Sequence, residues 1–346
     1  MSKKRLTIKD LARMAGVASS TISRVLNDNP GVSADTRARI RRLIEETGFK
    51  PSAKARSFFH GRAGAIGLLI PRPNEYVFSN PFYLDIIRGA ADTAMKARMN
   101  LLLVTTEKDL YNHLYDEQRV DGLILVSTRQ DDMGIMRLIE EGHPFVLIGR
   151  FKDGVQLNQI EVDDLAAARE ATEYLISLGH RHIAFIGGPT SVASGRDRYE
   201  GYRQALGRHG IPFDELIVAL EDLPLPSTGE RRAKEILERR PETTAFFAFN
   251  DLVAIGVMEA LRSMGRRSGS DVSVLGFDDI FAARYTNPPL TTVRQSGYEK
   301  GALAVRRLLE VLDGDRTPRS VMLPTTLVIR ESCKRIGECR PGVDGQ

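Results

Sequence analysis

At 346 residues, with 42% hydrophobic side chains, the chain is long enough for two or three domains with sizeable cores. It holds no run of 18 apolar residues, which argues against a membrane-spanning helix. The formal charge of +4 hides a split: residues 1–62 carry 14 Lys/Arg against 5 Asp/Glu, and the remainder carries 35 against 40. A basic head on a mildly acidic body suits a polyanion-binding head. The opening MSKKRLTIKD is charged without an apolar h-region, so no secretory signal is expected. Cys333 and Cys339 make neither a disulfide framework nor a metal-ligand spacing, and a cytoplasmic protein without metal or cofactor is the expectation.

Residues 7–27, TIKDLARMAGVASSTISRVLN, read as two short helices joined by a tight turn. Thr7 and Asp10 stand at capping-box spacing. Ile8, Leu11, Ala12 and Ala15 make one apolar stripe, and Gly16 follows where a non-helical backbone angle costs little. The second helix is expected from about Ala18 to Asn27. At about 100° per residue, Ile22, Val25 and Leu26 fall on one face and Ser19, Ser20, Ser23 and Arg24 on the other. This is the helix-turn-helix arrangement, whose second helix lies in the major groove of DNA. A guanidinium there can grip guanine O6 and N7 with two donors, and a serine hydroxyl can bond several base edges.

NDNPG at 27–31 is a turn by composition, and Ser33 is placed to cap a third helix from about Ala34 to Thr47. Residues 51–62, PSAKARSFFHGR, are basic and short, an isolated helix too marginal to hold alone in water. Such a segment can fold against DNA or a partner chain, and Phe58 is a candidate wedge between base steps in the minor groove. Phe58 and Phe59 docking on the body is the alternative.

From Ala65 apolar runs alternate with helix-length amphipathic stretches: Ile66–Ile70, Leu101–Thr105, Gly122–Val126, Phe145–Ile148, Ile183–Gly187, Ala245–Phe249 and Val272–Phe277. This pattern predicts an α/β body of two doubly wound parallel-sheet lobes behind an all-α head. The expected division is a head at 1–50, a hinge at 51–62, a first lobe of 63–162 and 291–322, a second lobe of 163–290 and 323–336, and a frayed tail at 337–346. Ligands in such folds sit beyond the carboxyl ends of strands, so the cleft between lobes is the expected pocket.

The head, the linker PSAKARSF, and the blocks EYLISLGHRHIAFIGG, FNDLVAIGVMEALRSMG and VSVLGFDDIFAARYTNPPLTTVRQ resemble the lactose-repressor/galactose-repressor (LacI/GalR) family of bacterial transcription regulators over nearly the whole chain. The resemblance implies a homodimer on a near-palindromic double-stranded operator, a body of periplasmic-binding-protein type, and a small sugar in the cleft that alters operator affinity. It matches Ser19, Ser20 and Arg24 to the family's base-reading positions. It places Thr7, Thr21, Ser23 and Asn27 in the head, with Ser52, Ala55, Arg56 and Phe58 in the linker, toward DNA. Phe58 stands where the family usually has Leu. Ala18 stands where Ser is commoner, so the helix cap is expected to shift to Ser19. In the body it matches Phe82 and Tyr83 to positions lining the effector cleft, and Arg198, Asn250 and Asp278 to polar positions opposite, with Ser127 and Arg150 at first-lobe strand ends. RPNEYVFSNPFYLDIIRG and STRQDDMGIMRLIEEGHPFVLIGR look most like the maltose/α-glucoside regulators of the family.

Other function classes are open to a weighing. Asp163-Asp164 and Asp278-Asp279 are paired carboxylates of the kind hydrolases use, but adjacent residues point apart. His180 and His182 lack a third zinc ligand nearby, and Gly187-Gly188 is too little for a dinucleotide fingerprint. A sugar-active enzyme, a secreted sugar-binding protein, and a regulator answering to a phosphocarrier protein or a nucleoside therefore stand behind the sugar-controlled repressor.

Overall fold

The computed structural model describes residues 6–26, 29–49, 63–105, 111–152 and 154–337. The linker at 51–62, the tail from 338, and the candidate DNA contacts Asn27, Ser52, Ala55, Arg56 and Phe58 lie outside the described residues.

The head is three helices, α1 (Ile8–Ala15), α2 (Ser19–Leu26) and α3 (Ala34–Thr47). The Thr7 hydroxyl accepts from Asp10 N at 3.2 Å while the Asp10 carboxylate accepts from Thr7 N at 3.0 Å, closing the capping box. Gly16 ends α1 in the left-handed region at φ 63° and turns the chain into α2. Ile22 N donates to Ala18 O, so the cap position stays at Ala18, which has no side-chain acceptor; the expected shift to Ser19 does not occur. Leu11, Ala12, Ala15, Ile22, Val25, Ile40 and Phe49 close over one another as the head's core. Small Ala12 and Ala15 let α1 lie close to its neighbours.

The body strands are β1 (Ala65–Ile70), β2 (Asn100–Thr105), β3 (Gly122–Val126), β4 (Phe145–Ile148), β5 (Gln159–Val162), β6 (Ile183–Gly187), β7 (Val218–Leu220), β8 (Ala245–Ala248), β9 (Ser273–Asp278), β10 (Thr291–Arg294), β11 (Ser320–Leu323) and β12 (Thr326–Val328). They form two six-stranded sheets, β11-β5-β4-β3-β1-β2 and β12-β10-β9-β8-β6-β7. The first is parallel throughout, and the second is parallel except for β10 against β12. Near-continuous burial along β3, β4, β6, β8 and β9 is what two-sided coverage by helices demands.

The body helices are α4 (Asn74–Ser79), α5 (Pro81–Lys96), α6 (Tyr111–Asp116), α7 (Met133–Glu140), α8 (Asp164–Ser177), α9 (Ala193–Arg208), α10 (Pro226–Arg239), α11 (Asp251–Ser263) and α12 (Gly297–Leu312). In the first lobe α12 packs on α5 with backbone nearly touching backbone. A Cβ on Gly89 would lie 2.0 Å from Tyr298 O, and one on Gly301 would lie 2.1 Å from Ile86 O. Only glycine fits at those two crossings.

The chain crosses between lobes three times among the described residues: after β5, after β10 and after β11. The expected division put 291–322 wholly in the first lobe, and this is corrected. Thr291–Arg294 pairs in parallel with Leu275–Asp278 of the second sheet, and the crossing comes at Gln295-Ser296. The reason is its register. Thr291 and Thr292 are fully buried against β9, where Thr291 N donates to the Ser332 hydroxyl and Thr292 donates to the Asp251 carboxylate.

Candidate functional site

The head presents its second helix outward by one face. Ile22 and Val25 are buried, Ser20 and Arg24 are exposed, and Ser19, Thr21 and Ser23 are half-buried. Thr7 caps the helix in front, so its hydroxyl is committed to Asp10. Hydroxyls and one guanidinium on a helix held by a small core make a surface able to enter a groove and bond base edges.

The body holds a cavity of about 350 Å³ between the lobes, lined among others by Phe82, Ser127, Arg150, Asp164, Asp197, Arg198, Gln295 and Lys300. A smaller chamber adjoins it and shares Phe82, Ser127, Val192, Ser194 and Arg198 with the first, adding Tyr83, Asn250 and Asp278. All seven residues matched to the cleft in sequence thus line one or both spaces.

The first lobe contributes strand ends and rings. Ser127 follows β3 with φ 51°, a left-handed backbone that a serine adopts only under constraint. Arg150 follows β4. Asn80 caps α5 through Phe82 N at 3.0 Å and so seats Phe82 and Tyr83 in the helix's first turn. Tyr83 is buried, its ring edge-on to Tyr76 at 5.8 Å. The ring of Phe82 packs against the apolar cores of both lobes, so it spans the gap.

The second lobe contributes charge. Arg198 on α9 is almost fully buried, its guanidinium stacked on the Phe277 ring at 3.5 Å and near Phe249 at 4.7 Å. It donates to the Asp164 carboxylate at 2.8 Å and to Phe249 O at 2.6 Å, and stands 3.9 Å from the Asp278 carboxylate. Burial lifts the Asp278 carboxyl from its ordinary 3.8 to about 6, against the pull of Arg198. Asp278 also holds φ 111°, a strained geometry at the end of β9. Asn250 Oδ1 accepts from Val253 N at 2.9 Å and caps α11, which leaves its amide nitrogen to donate elsewhere.

Gln295, Lys300, Asp164 and Asp197 were not in the sequence-derived set. Gln295 sits in a lobe crossing, donates to Asp278 at 2.7 Å and accepts from the Lys300 ammonium. Lys300 is buried 5.5 Å from the Phe82 ring, and its pKa falls to about 8 from desolvation. The buried Lys300 within the amphipathic pattern of α12 was the one signal available, since a lysine on an inward face wants a reason.

The lobes are drawn together along one rim. Arg150 of the first lobe pairs with Asp197 of the second. Arg196 donates to Gln130 Oε1 at 2.9 Å, Gln130 N donates to Ser191 O at 2.9 Å, and Arg129 and Val192 form a lone antiparallel bridge.

The paired carboxylates are divided rather than convergent. Asp163 caps α8 through Ala166 N while Asp164 holds Arg198. Asp278 faces the cleft while Asp279 is clamped by Arg294 and Arg330, which hold its carboxyl below the usual range. His180 is buried against Thr244, Ser273 and Lys334 O, where burial pushes its pKa down, whereas His182 is exposed. Among the described residues no group of three His, Cys, Asp or Glu is placed to hold a metal ion, and no helix is long and apolar enough to cross a membrane.

Residues 7–52 match the family described as bacterial regulatory proteins, lacI family, and residues 172–333 match the periplasmic binding protein-like domain. The HTH-type transcriptional regulator CelR of Thermobifida fusca is 35% identical over 338 residues, covering 95% of this chain and 99% of that protein. Catabolite control protein A of Priestia megaterium is 31% identical over 340 residues, covering 95% and 99%. A CelR–cellobiose complex superposes with a TM-score of 0.73 at 34% identity over 95% of this chain and all of that one. The lac repressor dimer bound to operator and the anti-inducer ONPF gives 0.79 at 27% identity over 96% and 100%. The chain therefore belongs to the LacI family of bacterial transcriptional regulators, which join a helix-turn-helix DNA-binding head to a periplasmic-binding-protein-like body.

Proposed function

We propose that this protein is a homodimeric, cytoplasmic repressor of sugar-utilisation genes whose grip on a near-palindromic operator is set by a small sugar bound between the lobes. The observation that carries this reading is the composition of the cleft. An aromatic ring at Phe82 lies across from Arg198, Asp278 and Asn250. An aromatic face suits the C–H side of a pyranose, while a guanidinium, a carboxylate and an amide fork onto its hydroxyls. The solved CelR–cellobiose complex makes a glucose-containing disaccharide the first candidate. The α-linked isomer maltose is the second, from the resemblance in the first lobe.

On this reading the two heads of a dimer engage half-sites in successive major grooves, and Arg24 reads a base. A sugar that favours one lobe arrangement shifts the population able to hold both half-sites. The reading assigns no catalysis, since the adjacent carboxylates are separately committed to a cap, to Arg198 and to Arg294 and Arg330.

A thermal-shift panel of cellobiose, maltose and glucose is the direct test. A sugar that binds only the native state raises the melting temperature with concentration. The same sugar must change operator affinity in a gel-shift titration, and a panel with no shift and no operator effect would sink the reading. Arg24→Ala should flatten discrimination among operator variants, at a cost of about 1–3 kcal/mol for the correct base.

A further inference from the structure

Beyond the inner cavity the cleft continues into a second space of about 580 Å³ at its mouth. The two are joined: Arg72 and Asp222 border both the small inner chamber and the mouth, and Pro189 does as well. Arg72 comes from the first lobe just after β1, and Asp222 from the second just after β7, so a cation and an anion frame the throat from opposite sides. Arg72 is half-buried and Asp222 exposed. Among the described residues neither side chain makes a hydrogen bond or an ion pair, although Asp222 lies within the field of Arg129 and Arg72 within that of Tyr76, whereas among the mouth's other charged groups Arg129 binds Asp131 and Asp132 caps α7. The remaining walls include Pro71, Pro73 and Leu223, flat apolar faces between polar groups. The inner cavity alone is near the lower bound of ligand pockets, roughly 300–1,000 Å³.

We infer that the mouth is a further sugar subsite and that the effector is a linear oligosaccharide, with its inner units against Phe82 and Arg198 and its next unit in the throat. This rests on the sugar reading above. Arg72 donates to, and Asp222 accepts from, hydroxyls of the emerging ring, while the prolines and Leu223 cover its C–H faces. Hydrogen bonds to charged groups are the stronger kind, and a single ring bound by two of them is enough for about a tenfold gain in affinity. A cleft for a single ring has no use for a cation and an anion from opposite lobes, neither side chain hydrogen-bonded, at its exit.

The test is calorimetric titration of the full chain with di-, tri- and tetrasaccharides of the β-1,4-glucose series and of the α-1,4-glucose series. In one series the trisaccharide should bind about tenfold tighter than the disaccharide. Arg72→Ala and Asp222→Ala should each pull that ratio toward one, in variants whose melting curves stay cooperative. A disaccharide that binds with no gain on lengthening, or a loss of equal size at every length in both variants, overturns the subsite and leaves the sugar reading standing. If no member of either series binds, the sugar reading fails and the subsite falls with it.

Discussion

The two lobes are built to one plan and furnished differently. Strand for strand the sheets run in the same order, with β2, β1, β3, β4, β5 and β11 answering to β7, β6, β8, β9, β10 and β12. In both, cleft residues sit at or just past the carboxyl ends of the third and fourth strands: Ser127 and Arg150 in one, Asn250 and Asp278 in the other. The second lobe's groups satisfy one another. Arg198 is held by Asp164, Phe249 O and the Phe277 face before any ligand arrives. The first lobe's groups look across the gap, for Arg150 pairs with Asp197 opposite and Phe82 packs on both cores. A preset wall therefore faces one whose Arg150 and Phe82 also reach partners across the gap. That division suits a sensor, because closure is what a ligand between lobes can alter.

The sharpest way to break this comparison is Arg198→Ala. It leaves buried Asp278 and half-buried Asp164 without the guanidinium between them, so a loss of roughly 3–5 kcal/mol is expected in urea melts, together with loss of effector binding. A normal melt would show that the second lobe is not a preset wall. Next is pH. The folded Asp278 carboxyl takes up its proton near pH 6 rather than 3.8. Between those values the folded state binds more protons than the unfolded, so this group's contribution to stability falls as pH rises through the window. Sugar binding that needs the carboxylate behaves oppositely. Its affinity should rise about tenfold per pH unit up to about 6 and then level, and Asp278→Asn should abolish the slope in calorimetric titrations. Arg198, Lys300, Asp164 and Asp251 face the group and are charged or titratable as well, so the Asn variant is the necessary control.

Phe82→Ala should weaken the sugar by about tenfold through lost ring contact, with only a small loss of stability because the side chain is half-buried. An unchanged affinity would remove the ring from the site. The smallest effect belongs to Asp197→Asn. A partly exposed pair is worth about 0–1 kcal/mol, so no more than a fivefold loss of sugar affinity is expected. A larger loss would mean that the rim contacts, and not the inner polar groups, govern closure.

The amino-acid pattern alone determined the head down to the caps of its first and third helices, because capping boxes, apolar stripes and left-handed glycines are local: Thr7 with Asp10, Gly16, and α3 at Ala34–Thr47 are all readable from neighbours within four residues. It determined the alternation of strands and helices for the same reason, though it missed β5 and β7. β7 is a three-residue edge strand, too short to show a run, and β5, between β11 and β4, breaks its apolar pattern with Gln159 and Glu161. Tertiary structure decided what no window of sequence contains. The lobe membership of Thr291–Arg294 follows from pairing with a strand some sixteen residues earlier rather than from its own composition. The chain from Lys300 through Gln295 to Asp278 and Arg198 joins two helices, a strand and a crossing. Burial sets the charge states there, and burial belongs to the whole fold.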